Sequence, residues 1–451
     1  MRVAVTGGSG QLGTLVLRRL CADRRVREVV SLDVKPPLVA SGKLKAVTAD
    51  VRDPDFAKHL EGCEVLIHLA FLVAAFPGRQ VFDAINVGGS KNVFGAAAKT
   101  GVKQIVYASS IAAYGVVPGH PVPIVETTAR VHQPDFAYSA NKWEVEDFLD
   151  AFEKDHPDIA IARLRPSTLI GMRMEHPLGT MLKRRRFPAT NTPFPLVWDE
   201  DVADAVMLCM DRKARGAFNV VAEELQRGEE LAKTCGMKVL GTPGIALRAW
   251  SHASPYLARL GLATPLDPAW IGKTDVPMIA SAEKARSELG WKPRCPNAVD
   301  VMKRYVETVP GMVDPRIAAF MGAVALASRW KPAELDLGGF NSHVHLCLTG
   351  PGGGDFGIEV REKRLRVSFS PPRPPTATVT LTARLFLDLL AGKAEFATSQ
   401  LVGALRCDGE GHAAMIVGSM ITLYRARTRA LKGAVASRSR IGKWILERSA
   451  T

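Results

Sequence analysis

Tyr138 and Lys142 stand four residues apart in the run Tyr-Ser-Ala-Asn-Lys, a spacing that puts both on one face of a helix. An ammonium so placed can lower the phenol's pKa and leave a hydroxyl able to exchange a proton near neutral pH. Near the N-terminus, Thr-Gly-Gly-Ser-Gly-Gln-Leu-Gly (6–13) supplies Gly7, Gly10 and Gly13 in the pattern Gly-x-x-Gly-x-x-Gly. Missing side chains let this backbone approach a pyrophosphate, whose charge meets the N-terminus of the next helix. An acid–base pair and a dinucleotide turn in one chain describe hydride exchange with an alcohol or ketone, a nicotinamide being the carrier. Asp33 closes the second predicted strand. A carboxylate there can bind both adenosine ribose hydroxyls and disfavours a 2′-phosphate, so NAD is preferred. Lys35 and Arg52 nearby pull toward NADP, and a plain strand-end turn residue is the other role open to Asp33.

These residues need a frame. Short runs rich in Val, Ile and Leu at 3–6, 29–33, 46–50, 65–70, 105–109 and 159–164 alternate with amphipathic segments such as 12–20 and 84–100. That alternation predicts an α/β fold: a doubly wound parallel sheet covered on both faces. Residues from about 172 to 279 are less regular and richer in Pro, which suits a small substrate-covering lobe. Helices are predicted at 281–289 and 299–306. After Pro310 the order changes. An apolar helix at 317–328 precedes strands at 343–348, 358–360, 365–369 and 377–381, a helix at 383–391, a further run at 402–407 and a helix at 413–425. Strands followed by helices predict a separate α+β domain. The expected division is 1–310, a linker helix at 311–334, a second domain at 335–425 and a basic tail at 426–451.

A chain of 451 residues, 47% hydrophobic and 23% charged, has the composition of a soluble globular protein of two domains. Its longest apolar stretches, 65–76 and 317–327, are too short to span a bilayer. The N-terminal run already reads as a strand, not a secretory signal. Seven scattered cysteines without a Cys-x-x-Cys pair argue for reduced thiols in a cytoplasm. The net charge of +14 is concentrated partly in the tail and partly at Lys183–Arg186. No nucleic-acid motif accompanies it, so nucleic acid is not an expected partner. Trp444, Ile445 and Leu446 leave peripheral membrane contact by the tail open. No metal site is expected. His59, His120, His132 and His176 lack ligand spacing, and His343 and His345 share a strand face without an evident third ligand.

Further motifs sharpen the picture. Residues 1–310 resemble an extended short-chain dehydrogenase/reductase of the NAD-dependent epimerase/dehydratase type. Asp50-Val51 resembles that family's adenine-contacting pair, and His68-Leu69-Ala70 its segment lining the cofactor after the fourth strand. Asn86 sits in Asn-Val-Gly-Gly, similar to the family's Asn-Val-x-Gly. Ser109-Ser110-Ile-Ala-Ala-Tyr114-Gly115 resembles the strand end carrying the catalytic serine, and Arg165-Pro166 through Gly171 the loop beside the nicotinamide. Asp199–Val202 and the segment 281–293, ending Glu-Leu-Gly-Trp-Lys-Pro, resemble two later motifs. The resemblance implies that Tyr138 exchanges the substrate proton, that Lys142 stabilises the phenolate and bonds the nicotinamide ribose, and that a serine orients the reacting oxygen. Ser110 fits the family spacing better than Ser109. Implied cofactor contacts are Gly7, Gly10, Gln11, Leu12, Gly13, Asp33, Asp50, Val51, Leu69, Ala70, Asn86, Tyr138, Lys142 and Pro166. Tyr114, without a lysine four residues on, is given a packing role. Family members commonly dimerise, which makes a homodimer an expectation.

Residues 335–425 resemble a sterol-carrier-protein lipid-binding domain, through 376–392 and through Gly-Ala-Leu-Arg-Cys-Asp-Gly in 401–411. The resemblance implies an apolar tunnel with Leu385, Leu389, Met415, Ile416 and Met420 as lining. The leading expectation is then an NAD(P)-dependent oxidoreductase on a lipidic alcohol or ketone, similar to the 3β-hydroxysteroid dehydrogenase branch, with 246–271 as an apolar lid or a packed helix pair. The alternatives are a nucleotide-sugar epimerase or dehydratase with retained NAD, and an inactive lipid-binding or nucleotide-sensing protein.

Overall fold

Apolar runs that are buried end to end require helices on both faces of a sheet. The computed structural model has that arrangement. It describes residues 1–73, 78–174, 176–190, 192–240, 249–250, 253–254, 256–257, 270, 273–309, 313–330, 341–361, 364–369 and 374–438. Two units divide between Val309 and Pro310.

The first unit is built on β1 (Arg2–Thr6), β2 (Glu28–Asp33), β3 (Leu44–Thr48), β4 (Val65–His68), β5 (Gln104–Ala108), β6 (Ala160–Pro166) and, later in the chain, β10 (Gly216–Val220). They form one parallel sheet in the order β10-β6-β5-β4-β1-β2-β3. The strand order reverses between β1 and β4, all strands staying parallel, the place where such sheets open a crevice at their C-terminal edge. Helices α1 (Gln11–Ala22), α2 (Arg79–Asp83), α3 (Gly89–Lys99) and α4 (Ala137–Asp155) follow the strands, with a π-helical turn at Ala84–Gly88 between α2 and α3. One core lies under α1 and holds Val3, Val5, Val16 and Leu17; the other holds Leu66, Val93, Phe94, Ile105 and Leu149.

A small lobe carries its own core of Ile170, Leu182, Phe187, Trp198 and Leu231. Its elements are β7 (Thr168–Ile170), α5 (Pro177–Lys183), β8 (Arg186–Pro188), β9 (Leu196–Trp198), α7 (Gly228–Thr234), β11 (Lys238–Leu240) and the helix Ala298–Thr308. The lobe therefore draws on residues beyond the expected 172–279. Between β9 and β10, α6 (Asp199–Arg212) returns the chain to the main sheet, packed on α1.

The glycine turn is sterically closed to side chains. A Cβ on Gly13 would lie 2.1 Å from the Gly7 carbonyl oxygen and 2.8 Å from Gly8 Cα. Both obstacles are backbone. Gly13→Ala is expected to cost ~2 kcal/mol and to lower the melting temperature by several degrees. Gly95→Ala, in α3 with nothing within 4 Å of the added methyl, should be neutral or slightly stabilising. Thermal melts of the two variants side by side check the contrast.

In the second unit β12 (Ser342–Thr349), β13 (Gly354–Arg361), β14 (Arg364–Ser368), β15 (Ala377–Thr382) and β16 (Arg406–Gly409) form a sheet in the order β14-β13-β12-β15-β16. The sheet is mixed, because β12 and β15 run parallel. The run at 402–407 is a turn through Gly403 (φ +72°) that becomes a strand only at Arg406. Helix Pro315–Trp330, expected as a linker, contributes Ile317, Phe320 and Met321 to the core of this unit. Leu389, Ile416 and Met420 are buried there too and Leu385 packs against them, but Met415 is 69% exposed and lines nothing. The last helix, His412–Arg438, includes the start of the expected tail; 439–451 lie outside the described residues. No helix among the described residues is long and apolar enough to cross a membrane.

Candidate active site

The turn after β1 gathers the expected cofactor residues. Gly7 has φ +71°, and a Cβ on it would lie 2.6 Å from the Ala70 nitrogen. Leu69 and Ala70, just past β4, donate backbone N–H groups to Thr6. Thr6 Oγ1 also meets His68 Nδ1 at 2.7 Å, and His68 Nε2 meets Ser90 at 3.0 Å. Burial pushes His68 down to about 3, so a neutral ring ties β1, β4 and α3 together. Gly10 caps α1 without a side-chain bond to the first-turn N–H groups of Gln11, Leu12 and Gly13. An anion is the natural partner for those groups, which is the fit a pyrophosphate requires. Asp33 stands at the end of β2 and accepts from Ser9 through both N–H (3.0 Å) and Oγ (2.7 Å).

Arg52, which pulled toward a 2′-phosphate, is committed to Asp50 through two hydrogen bonds of 3.0 and 2.6 Å. Val51 is buried against Gly89. Asn86 spends its amide on the Leu72 backbone, accepting at 2.8 Å and donating at 3.1 Å, and on Asn141. Its part is to shape the segment after β4 that faces the turn.

Tyr138 and Lys142 lie one turn apart near the start of α4. Ser110 follows β5, its hydroxyl accepting from Ala112 N–H and donating to the Pro166 carbonyl at 3.4 Å. The two serines differ in hydrogen bonding. Ser109 spends its hydroxyl on the buried Glu146, whereas the Ser110 hydroxyl acts on Tyr138. Burial pushes the Tyr138 phenol up to about 12, against the Ser110 hydroxyl. The expected lowering by Lys142 is absent in this state. Lys142 Nζ donates to the Ala108 carbonyl (2.7 Å) and to Tyr107 (3.3 Å), and lies 3.4 Å from the centroid of the Phe71 ring. Burial drives the Lys142 ammonium well below its ordinary range, and Glu146, one turn further along α4, opposes that.

Glu146 was not anticipated. Fully buried, it accepts from Arg165 Nε at 2.9 Å, from Arg130 Nη1 at 3.1 Å and from Ser109. These partners hold its carboxyl below the usual range despite burial. Tyr138, Lys142 and Glu146 form an i, i+4, i+8 stripe, a spacing that could have revealed it. Tyr114 ends a short 3₁₀ helix, not a strand. It donates to Asn219 at 2.8 Å and stacks under Arg165, a packing role as expected.

Asp199 was noticed only as part of a motif. Gln11 Nε2, from the glycine turn, donates to its Oδ2 at 2.9 Å, and a Cβ on Gly171 would lie 1.8 Å from that oxygen. Burial pushes this carboxyl up to about 7. A folded value above the ordinary 3.8 means stability is full below that value and lost as pH rises to about 7. Asp199→Asn keeps an acceptor for Gln11 and removes the charge. Denaturant titrations should show it more stable than wild type above pH 7, by up to ~4 kcal/mol, and level with it near pH 4.

The glycine turn and the crevice at the sheet edge fit a dinucleotide-dependent enzyme. Residues 3–220 match the model of the NAD dependent epimerase/dehydratase family. That match covers most of the first unit and supports an enzyme of the extended short-chain dehydrogenase/reductase type. An uncharacterized protein of Mycobacterium tuberculosis is 26% identical over 344 residues, 73% of this chain and 90% of its own length. A protein of the same organism named 3 beta-hydroxysteroid dehydrogenase/Delta 5→4-isomerase is 34% identical over 118 residues, 24% of this chain and 31% of that one. The solved structure of MoeE5 in complex with UDP-glucuronic acid and NAD shares the fold, with a TM-score of 0.53 at 20% identity over 68% of this chain and 98% of that one.

Proposed function

We propose that the first unit is an NAD-dependent oxidoreductase acting on a lipidic, sterol-like secondary alcohol or its ketone, with Ser110, Tyr138 and Lys142 as the reacting residues. What supports the substrate class is the aromatic wall around Tyr138. Phe71 meets its ring edge-on at 5.8 Å, Trp270 lies at 5.6 Å, and Trp270 packs on Phe136 at 4.8 Å. Such a wall favours a flat apolar skeleton over a hydroxyl-rich sugar. Trp270 also belongs to the expected lid, of which Trp250 and Tyr256 are exposed and Leu260 lies outside the described residues.

Gly7, Gly10, Gln11, Leu12, Gly13, Asp33, Leu69 and Ala70 would hold the cofactor, with Asp50, Val51, Asn86 and Pro166 bordering it. When bound, NAD accepts and returns the hydride. Ser110 orients the substrate oxygen, Tyr138 takes or gives its proton, and the Lys142 ammonium favours the phenolate. Asp33, with Arg52 engaged elsewhere, selects NAD over NADP. In the second unit the apolar core around Leu385, Leu389, Ile416 and Met420 would accept an acyl chain or sterol.

NADH formation from NAD and a panel of sterols and long-chain alcohols tests this reading; silence across the panel would overturn it. A second reading, nucleotide-sugar epimerisation with retained NAD, draws on the exposed cations Lys183, Arg184 and Arg186 as a diphosphate site. Mass spectrometry of ligands released from purified protein separates the two. Retained NAD together with turnover of nucleotide sugars would favour the second.

A further inference from the structure

The sheet of the second unit carries a group of side chains that the hydride chemistry does not use. Along β12, Val344, Leu346 and Leu348 enter the apolar core, so His343, His345 and Cys347 fall on the opposite face. Asp355 of β13 is the register partner of Cys347, which places it on that same face. Asp355 Oδ1 lies 2.7 Å from His345 Nε2. One donor atom each from His345, Cys347 and Asp355 lie within 4.8 Å of one another. His345 is fully buried, Cys347 nearly so, and the Asp355 side chain is 32% exposed.

We propose that His345, Cys347 and Asp355 form a binding site for a zinc-like divalent transition metal. An imidazole, a thiol and a carboxylate are a donor set that suits zinc and disfavours magnesium or calcium, which take oxygen ligands. Three atoms no more than 4.8 Å apart share a centre within ~2.8 Å of each. Zinc takes such ligands at about 2.0–2.3 Å, so closure asks for roughly half an ångström from each. Two of the three lie on one strand and the third is fixed opposite by the β12–β13 register, so little order has to be gained on binding. Binding releases the thiol proton to solvent as the thiolate ligates. His343, on the same strand face as His345, is not one of the three: it faces Glu359 at 3.7 Å instead. Three protein ligands leave one tetrahedral position for water or an exchangeable group.

Cobalt(II) is the probe for the test. The full chain, reduced and stripped of metal, is titrated with Co²⁺ and then with Zn²⁺. One equivalent should give tetrahedral d–d absorption and a thiolate-to-cobalt charge-transfer band, both lost on adding Zn²⁺. Cys347→Ser should abolish the charge-transfer band and weaken binding about a hundredfold, while Cys407→Ser leaves both unchanged. Asp355→Asn keeps the shape and a hydrogen-bond acceptor for His345, and should weaken binding about tenfold or more with unchanged circular dichroism. If Cys347→Ser misfolds, Asp355→Asn decides. Absence of a stoichiometric thiolate band in wild type, or the same band and affinity in Cys347→Ser or Asp355→Asn, would overturn the site.

Discussion

Tyr138→Phe is expected to lower turnover about 10²- to 10⁴-fold while leaving dinucleotide affinity and stability nearly unchanged. The ring contacts with Phe71, Phe136 and Trp270 are made by carbon atoms that phenylalanine retains. What is lost is one hydroxyl that burial holds near pKa 12, far above the pH of assay. A phenol at that value is a ready proton donor and a poor acceptor. Carbonyl reduction by the wild type should therefore run well at neutral pH, whereas alcohol oxidation should rise with pH as the phenolate fraction grows. The variant should show neither the rate nor the pH dependence. Steady-state kinetics in both directions, with fluorescence titration of NAD, measure all three quantities. Unchanged turnover in Tyr138→Phe would remove the phenol from the chemistry and revive the inactive binding-protein reading.

How much of this was legible in the sequence depends on how local each interaction is. The glycine turn needs only eight consecutive residues, and Tyr138 and Lys142 need one helical turn, so pattern alone located them. The parallel sheet was legible for a related reason: strands buried on both faces read as continuous apolar runs. Interactions that close across the fold left no pattern. Gln11 finds Asp199 at a separation of 188 residues, and Arg165 reaches Glu146 from a different element. Cys347 and Asp355 meet only because β12 and β13 pair in one register. The run at 402–407 had no legible element type, because apolar residues beside Gly403 serve equally well in a turn. Lys142 shows a further limit. Its position was legible, yet its present contacts with the Ala108 carbonyl and Phe71 depend on packing that spacing does not encode.

The stripe continues to Glu146, and Glu146→Gln should be the most damaging single change on α4. Glu146 is the counter-charge for Arg165, itself buried, and for Arg130. A neutral amide keeps the volume but leaves an uncompensated guanidinium in the interior, at a cost of about 3–5 kcal/mol. Because its partners lower the folded-state pKa of Glu146, its contribution is present above the unfolded carboxyl value and lost as pH falls through the folded one. The variant should lack that part of the wild type's acid destabilisation. A second effect tells positioning from mere support. Burial drives the Lys142 ammonium toward its neutral form and the Glu146 carboxylate opposes this. Without the carboxylate, Lys142 loses its proton at lower pH, and a reaction that needs the cation fails earlier on the alkaline side. The alkaline limb of the pH–rate profile should therefore move to lower pH in Glu146→Gln. A variant weakened only by loose packing, such as Leu149→Ala on the same helix, should lose stability and keep the wild-type profile. Measuring melts and pH–rate profiles for the two variants separates an electrostatic hold on Lys142 from simple loss of a buried ion pair.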